Sequence, residues 1–193
     1  MPKIWRQKKS VIRHYNRLAE IYDSLYGEEQ KTKITSILKM MKIRREDLVL
    51  DAGCGTGLLI DHLMLKVNHF VGLDIAGNVL KVALERSRRL GIKRNISLIK
   101  ADIDAVPFRD NVFDKIFALT LLQNVPEPCK TLREIVRVAK NRSEIAVTGL
   151  KKHFAKEDFD RIIRKIGQEH IFVESSETHD FIVLIRIDKV KNK

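Results

Sequence analysis

The chain has 193 residues, 44% of them hydrophobic, with only nine glycines and four prolines. That suits one globular domain with a substantial core and excludes a disordered chain. Lysine and arginine number 37 against 25 acidic residues, a net charge of +12, and such an excess favours a polyanionic partner because each cation that neutralises a phosphate releases counterions. The two cysteines, Cys54 and Cys129, and six scattered histidines leave neither a disulfide scaffold nor metal-ligand spacing, so no metal is expected. The longest apolar run, Ile116 to Leu122, is too short to span a bilayer. The opening MPKIWRQKKS is basic without an apolar core behind it. The expectation is a soluble, cytoplasmic protein.

In chain order, residues 10–26 read as a helix with an aromatic stripe of Tyr15, Tyr22 and Tyr26, and residues 29–42 as a second helix with Ile34, Ile37, Leu38 and Met41 at helical spacing. The first nineteen residues carry Lys3, Arg6, Lys8, Lys9, Arg13 and Arg17 and no acid. From there strands are expected at 48–50, 70–73, 96–99, within 112–122, and at 144–148, 171–173 and 181–187. Between them fall helices at 58–66, 77–90, 128–139 and 156–167. Alternation of this kind predicts an α/β domain: a doubly wound, mainly parallel, Rossmann-like sheet of seven strands. Residues 1–44 would form a basic helical lid and 45–193 the core. Ligands of such sheets bind beyond the carboxyl ends of the strands.

The run Asp51-Ala52-Gly53-Cys54-Gly55-Thr56-Gly57 follows the first expected strand. A dinucleotide fingerprint needs G-x-G-x-x-G, but Leu58 stands where the third glycine should be. A phosphate loop needs Lys-Ser or Lys-Thr after its last glycine, and none follows Gly57. The run resembles motif I of the class I S-adenosylmethionine-dependent methyltransferases. Asp74, at the end of the second strand, resembles that family's ribose-bridging acid, and a carboxylate suits a vicinal diol through two charge-assisted hydrogen bonds. Ala101-Asp102-Ile103 resembles the motif whose Asp takes the adenine amino group. His14 to Asp23 is similar to the Y-x-x-x-A-x-x-Y-D segment before the core of ubiquinone-biosynthesis-type enzymes, where it packs over the cofactor as a lid.

The resemblance implies S-adenosyl-L-methionine as cofactor, held by Tyr15, Tyr22, Asp51, Gly53, Cys54, Gly55, Gly57, Asp74, Ile75, Asp102, Ile103 and Leu119. Bare backbone at the glycines allows close approach, and Asp51 can order the turn or meet the ammonium group through water.

Leu121 to Pro126 occupies the place of the motif that faces the methyl group. Enzymes that methylate nucleic-acid amino groups often carry [DNS]-P-P-[YFW] there, and this chain has Gln-Asn-Val-Pro. Gln123 and Asn124 are the candidates to orient an acceptor nitrogen, because positioning can dominate an in-line displacement on a cationic donor. A carbon-5 pyrimidine mechanism needs a cysteine nucleophile, and Cys129 falls beyond the pocket-facing loop. The net charge and basic arm favour RNA as the partner. A base nitrogen of ribosomal RNA is then the acceptor ahead of transfer RNA, with the cytidine amino group as the specific case. The alternatives are a quinone- or metabolite-type small molecule and a protein side chain, with an activator subunit possible.

Overall fold

A computed structural model of the protein describes residues 3–63, 66–92 and 95–189. Met64 and Leu65 of the expected helix 58–66, and Lys93 and Arg94 of a basic cluster, lie outside the described residues. Five strands run parallel: β1 (Leu48–Ala52), β2 (His69–Asp74), β3 (Ile96–Lys100), β4 (Phe113–Ala118) and β5 (Ala139–Leu150). β7 (Asp180–Arg186) is inserted antiparallel between β5 and β6 (Glu169–Val173), so the sheet order is β3-β2-β1-β4-β5-β7-β6. This is the expected seven-stranded, doubly wound α/β fold.

The strands are apolar on both sides because both faces of the sheet are covered. Leu50, Val71, Ile116 and Ile145 face the layer that includes α5 (Pro128–Val138) and α6 (Lys156–Arg164), meeting Leu132, Ile135, Phe159 and Ile163. Their neighbours Val49, Phe70, Phe117 and Ala146 face the other layer, where Ile34, Ile37, Ile60, Leu63 and Ala83 come from the remaining helices. Burying each such side chain stabilises by about 1.5–3 kcal/mol, before the cost of chain ordering.

The N-terminal helices depart from expectation. Instead of one helix at 10–26, α1 spans Lys3–Leu18, the chain turns at Ala19 to Ile21, and α2 runs Tyr22–Met40 straight through Gly27. Tertiary contacts decide this. Ala19 packs against Ala76 and Val79, and Asn16 accepts from the backbone N–H of Asn78 at 2.8 Å, which docks α1 on the start of α4 (Gly77–Arg89). Gly27 costs about 1 kcal/mol against alanine inside a helix, and the burial of Ile34, Ile37 and Met41 in the core exceeds that cost. The short helix α3 covers Ile60–Leu63. Helix α5 stops at Val138 and passes directly into β5, which begins five residues before the expected 144 because Ala139 already pairs with Phe113 across a register shift.

Candidate active site

The glycine run leaves the carboxyl end of β1 and is tied to the end of β2 by its own backbone. Gly53 and Cys54 both donate N–H to the Leu73 carbonyl, at 2.7 and 2.9 Å, and Gly55 N–H donates to Asp74 Oδ2 at 2.9 Å. Gly53 sits at φ 81°, and a Cβ there would meet Leu121 Cδ1 at 3.0 Å, so glycine is needed both for conformation and for space. Gly57, at φ 79°, has a different reason to be glycine. A Cβ there would meet Ile60 Cδ1 at 2.7 Å and Ala83 Cβ at 3.0 Å, so it lets the loop pack on α4 instead of opening on the cavity.

A cavity over this loop is lined by Tyr15, Tyr22, Gly53, Gly55, Asp74, Ile75, Asp102, Ile103, Leu119 and Asn124, which brings together most of the residues singled out in the sequence. Asp51 and Cys54 instead border a smaller neighbouring hollow behind the loop. The Cys54 thiol is buried against Gly72, and burial pushes its pKa up. Asp51 is 4% exposed and accepts no side-chain hydrogen bond among the described residues. Burial, reinforced by the nearby Asp74 carboxylate, pushes its pKa from 3.8 up to about 8. Asp74 is raised as well by burial, although it accepts from Gly55 N–H and from Ala76 N–H at 2.8 Å.

Asp102 is already engaged. Lys8 reaches down from α1 and donates to both of its carboxylate oxygens, at 2.8 and 2.6 Å, and to Asp104 at 2.5 Å. Lys8 was unmarked in the sequence except as one more cation of the arm, yet it is 9% exposed and locks α1 over the cavity. A second lock lies at the start of α2. Arg86 of α4 pairs with both Asp23 and Asp61 and donates Nε–H to the Thr56 carbonyl at 3.0 Å, while Thr56 Oγ1 donates to Asp23 at 2.6 Å. Asp23 therefore ties the start of α2 to the glycine loop and to α4.

A second cavity, of about 740 Å³, adjoins the first and shares Tyr15, Tyr22, Thr120 and Asn124 with it. Its remaining wall includes Tyr26, Gln30, Lys33, Gln123, Lys151 and His179. Thr120, missed in the sequence, stands at the junction with φ 55°, a costly conformation for a β-branched residue. Its N–H donates to Thr148 Oγ1 at 2.8 Å, its carbonyl accepts from Asn124 Nδ2 at 2.8 Å, and its hydroxyl accepts from Gln30 and Lys33, each at 3.0 Å. Lys33 and Asp180, both buried, form an ion pair behind it. Asn124 also donates to the Tyr15 hydroxyl at 2.9 Å. Gln123 lines the second cavity and not the first, and its Oε1 is buried with no hydrogen-bond partner among the described residues. No local signal marks Thr120 or Lys33, since their partners come from other elements.

With this geometry in place, a family model described as a methyltransferase domain matches residues 43–179. The chain belongs to the S-adenosylmethionine-dependent methyltransferases. It is 31% identical over 155 residues to the ubiquinone/menaquinone biosynthesis C-methyltransferase UbiE of Citrobacter koseri, covering 76% of this chain and 61% of that protein. It is also 31% identical over 137 residues to the malonyl-[acyl-carrier protein] O-methyltransferase of a Marinomonas species, covering 69% and 48%. The chain thus spans about half to three-fifths of the length of these relatives. Among solved structures, magnesium protoporphyrin IX methyltransferase from Synechocystis PCC 6803 with bound S-adenosylmethionine shares the fold at a TM-score of 0.76 and 16% identity, covering 94% of this chain and 97% of that one.

S-adenosylmethionine is the cofactor of this methyltransferase, and the first cavity fits it. Each Asp74 oxygen, on the wall of that cavity, retains a lone pair for a hydroxyl beyond its backbone donor. The described residues contain no group of three or more His, Cys, Asp or Glu able to hold a metal, and no helix long and apolar enough to cross a membrane.

Proposed function

We propose that this methyltransferase transfers the methyl group to a small-molecule acceptor held in the second cavity, in a cytoplasmic reaction. One observation carries the choice: a cavity of about 740 Å³, bordered by α1 and walled by Tyr15, Tyr22 and Tyr26, opens onto the cofactor cavity through shared residues. That volume suits a small-molecule ligand. The ubiquinone/menaquinone enzyme among the relatives supports the same reading.

In this reading Asp74 binds the ribose diol, Asp102 and Ile103 face the adenine edge, and Gly53 and Gly55 offer backbone to the amino-acid tail, with Asp51 behind them. Ile75 and Leu119 supply apolar contact, and Tyr15 and Tyr22 close the site from the lid. The bound cofactor supplies an electrophilic methyl carbon on a cationic sulfur. The chain's own contribution is alignment and exclusion of water, which lower the barrier by positioning the two reactants. Asn124 orients Tyr15, and Gln123 reads the body of the acceptor.

A base nitrogen in RNA, ribosomal ahead of transfer RNA, with the cytidine amino group as its specific case, is the second reading. It is favoured by the outer face of α1, where Lys3, Arg6, Lys9, Arg13 and Arg17 are exposed beside Trp5, 40% exposed. Cations on phosphates and a ring to stack a base suit RNA. However, α1 lies over both cavities, so an RNA base would have to displace it. A protein side chain has no observation of its own among the described residues.

The test is to incubate the protein with methyl-labelled cofactor, total RNA and a low-molecular-mass extract of the source cells. Label is expected in the small-molecule fraction. Methylated nucleosides in the RNA digest, with an unlabelled extract, would overturn the first reading in favour of the second.

A further inference from the structure

Four residues line both cavities, Tyr15, Tyr22, Thr120 and Asn124, and the directions of their hydrogen bonds are constrained. The Thr120 carbonyl can only accept, so Asn124 turns its NH2 toward it at 2.8 Å, and the other amide proton goes to the Tyr15 hydroxyl at 2.9 Å. Tyr15 is thus an acceptor within the protein, and its own proton is unspent. Lys33 Nζ can only donate, and it does so to Thr120 Oγ1 at 3.0 Å. Gln30 Nε2 donates to the same oxygen at 3.0 Å and to the Tyr22 hydroxyl at 3.4 Å. With two donors on it, the Thr120 oxygen has no lone pair left and only a proton to give. Burial raises the pKa of Tyr15 and of Tyr22, so both phenols stay protonated.

The junction therefore presents three hydroxyl protons. Among the described residues, no carboxylate and no imidazole lines both cavities. Asp74 is held by backbone N–H groups and Asp102 by Lys8. Glu29, His14 and His179 line the second cavity but not the first, so at the junction itself an anion arriving already deprotonated is met by donors. The wall behind carries more cations than anions: Lys151, whose ammonium donates to the Thr178 carbonyl at 2.8 Å, and Lys152, exposed beside it, against Glu29, which lies 3.6 Å from Lys33.

Resting on the reading of the second cavity as the acceptor site, we infer that the acceptor is an acidic oxygen compound, a carboxylate or a phenolate, methylated on oxygen while the Tyr15, Tyr22 and Thr120 hydroxyls hold its charge. An oxygen lone pair forms the O–C bond as the S–C bond breaks, and the bonding pair stays on sulfur. The positive and negative charges cancel, so no proton moves. Gln123 Oε1, buried and unpartnered on the second cavity alone, accepts an N–H or O–H from the body of the acceptor.

The matched probes 4-nitrophenol and 4-nitroaniline differ in the reacting group, and the absorbance of the first reports its ionisation. Titrated into the full chain loaded with S-adenosylhomocysteine, 4-nitrophenol should bind as its anion, with its apparent pKa lowered by about one unit, a roughly tenfold preference worth one hydrogen bond to a charge. Thr120→Val, which keeps the shape and removes the donor, and Tyr15→Phe should each lose about that factor, and Thr120→Ser should retain it. Equal binding of 4-nitroaniline, or binding of 4-nitrophenol with unshifted ionisation, overturns the inference. In the labelled-extract experiment the product should be an O-methyl compound. An N-methyl small molecule would overturn the oxyanion assignment and leave the small-molecule reading standing, whereas label confined to RNA would overturn that reading.

Discussion

The two cavities that meet at Thr120 are built in different ways. The cofactor side is a backbone construction: three glycines within five residues, the N–H groups of Gly53 and Gly55 tied to Leu73 and Asp74, and a carboxylate at the tip of the adjacent strand. The second cavity, proposed to hold the acceptor, is a side-chain construction, drawn from both N-terminal helices, the exit of β4, the end of β5 and the approach to β7, and held by the Lys33–Asp180–Thr120–Gln30 network. Backbone geometry tolerates many substitutions around it and demands glycine at a few points. A buried polar network is the reverse, since losing one member leaves the others unsatisfied. One scaffold can therefore keep its cofactor while single substitutions retune its acceptor.

The sharpest way to break this comparison is Lys33→Met. It strands the buried Asp180 carboxylate and should lower stability by about 3–5 kcal/mol, with Lys33→Met plus Asp180→Leu recovering most of it in thermal unfolding. Cofactor affinity in the folded fraction should change little, and a parallel loss of affinity would mean that the two sides are one network. On the cofactor side, Asp74→Asn should weaken binding by roughly 100-fold, about 2.7 kcal/mol, in calorimetric titration, with the unfolding temperature nearly unchanged. Full-strength binding would remove Asp74 from the cofactor contacts.

The third effect is a pH dependence. Asp51 rises from 3.8 to about 8 on folding, so the folded chain keeps a proton that the unfolded chain loses between these values. Its stabilising contribution is complete below about pH 4 and is lost as pH rises to about 8, a fall that denaturant titrations across this range should record. Asp51→Asn should flatten that slope. The smallest effect is at the lid. Lys8→Met frees Asp102 for the cofactor and should tighten binding by about threefold, since a single partly screened ion pair is worth about 1 kcal/mol or less. Weaker binding instead would make Lys8 part of the site and not its competitor.

How much of this could be read beforehand follows the same division. The order of apolar and polar residues determined the doubly wound sheet, the glycine loop after β1 and the acidic residue at the tip of β2, because those signals act within a few residues and a strand carries its own burial pattern. It also separated this site from a dinucleotide or phosphate loop through Leu58 and the residues after Gly57. Tertiary structure alone decided where the lid helix breaks, that Gly57 and Cys54 serve packing, that Lys8 covers Asp102, and that Thr120 takes a left-handed turn. Each depends on partners far away in the chain: Asn124 meets Tyr15 across 109 residues and Lys8 meets Asp102 across 94. No local propensity encodes such pairs, since they form only once the packed sheet has brought the elements together.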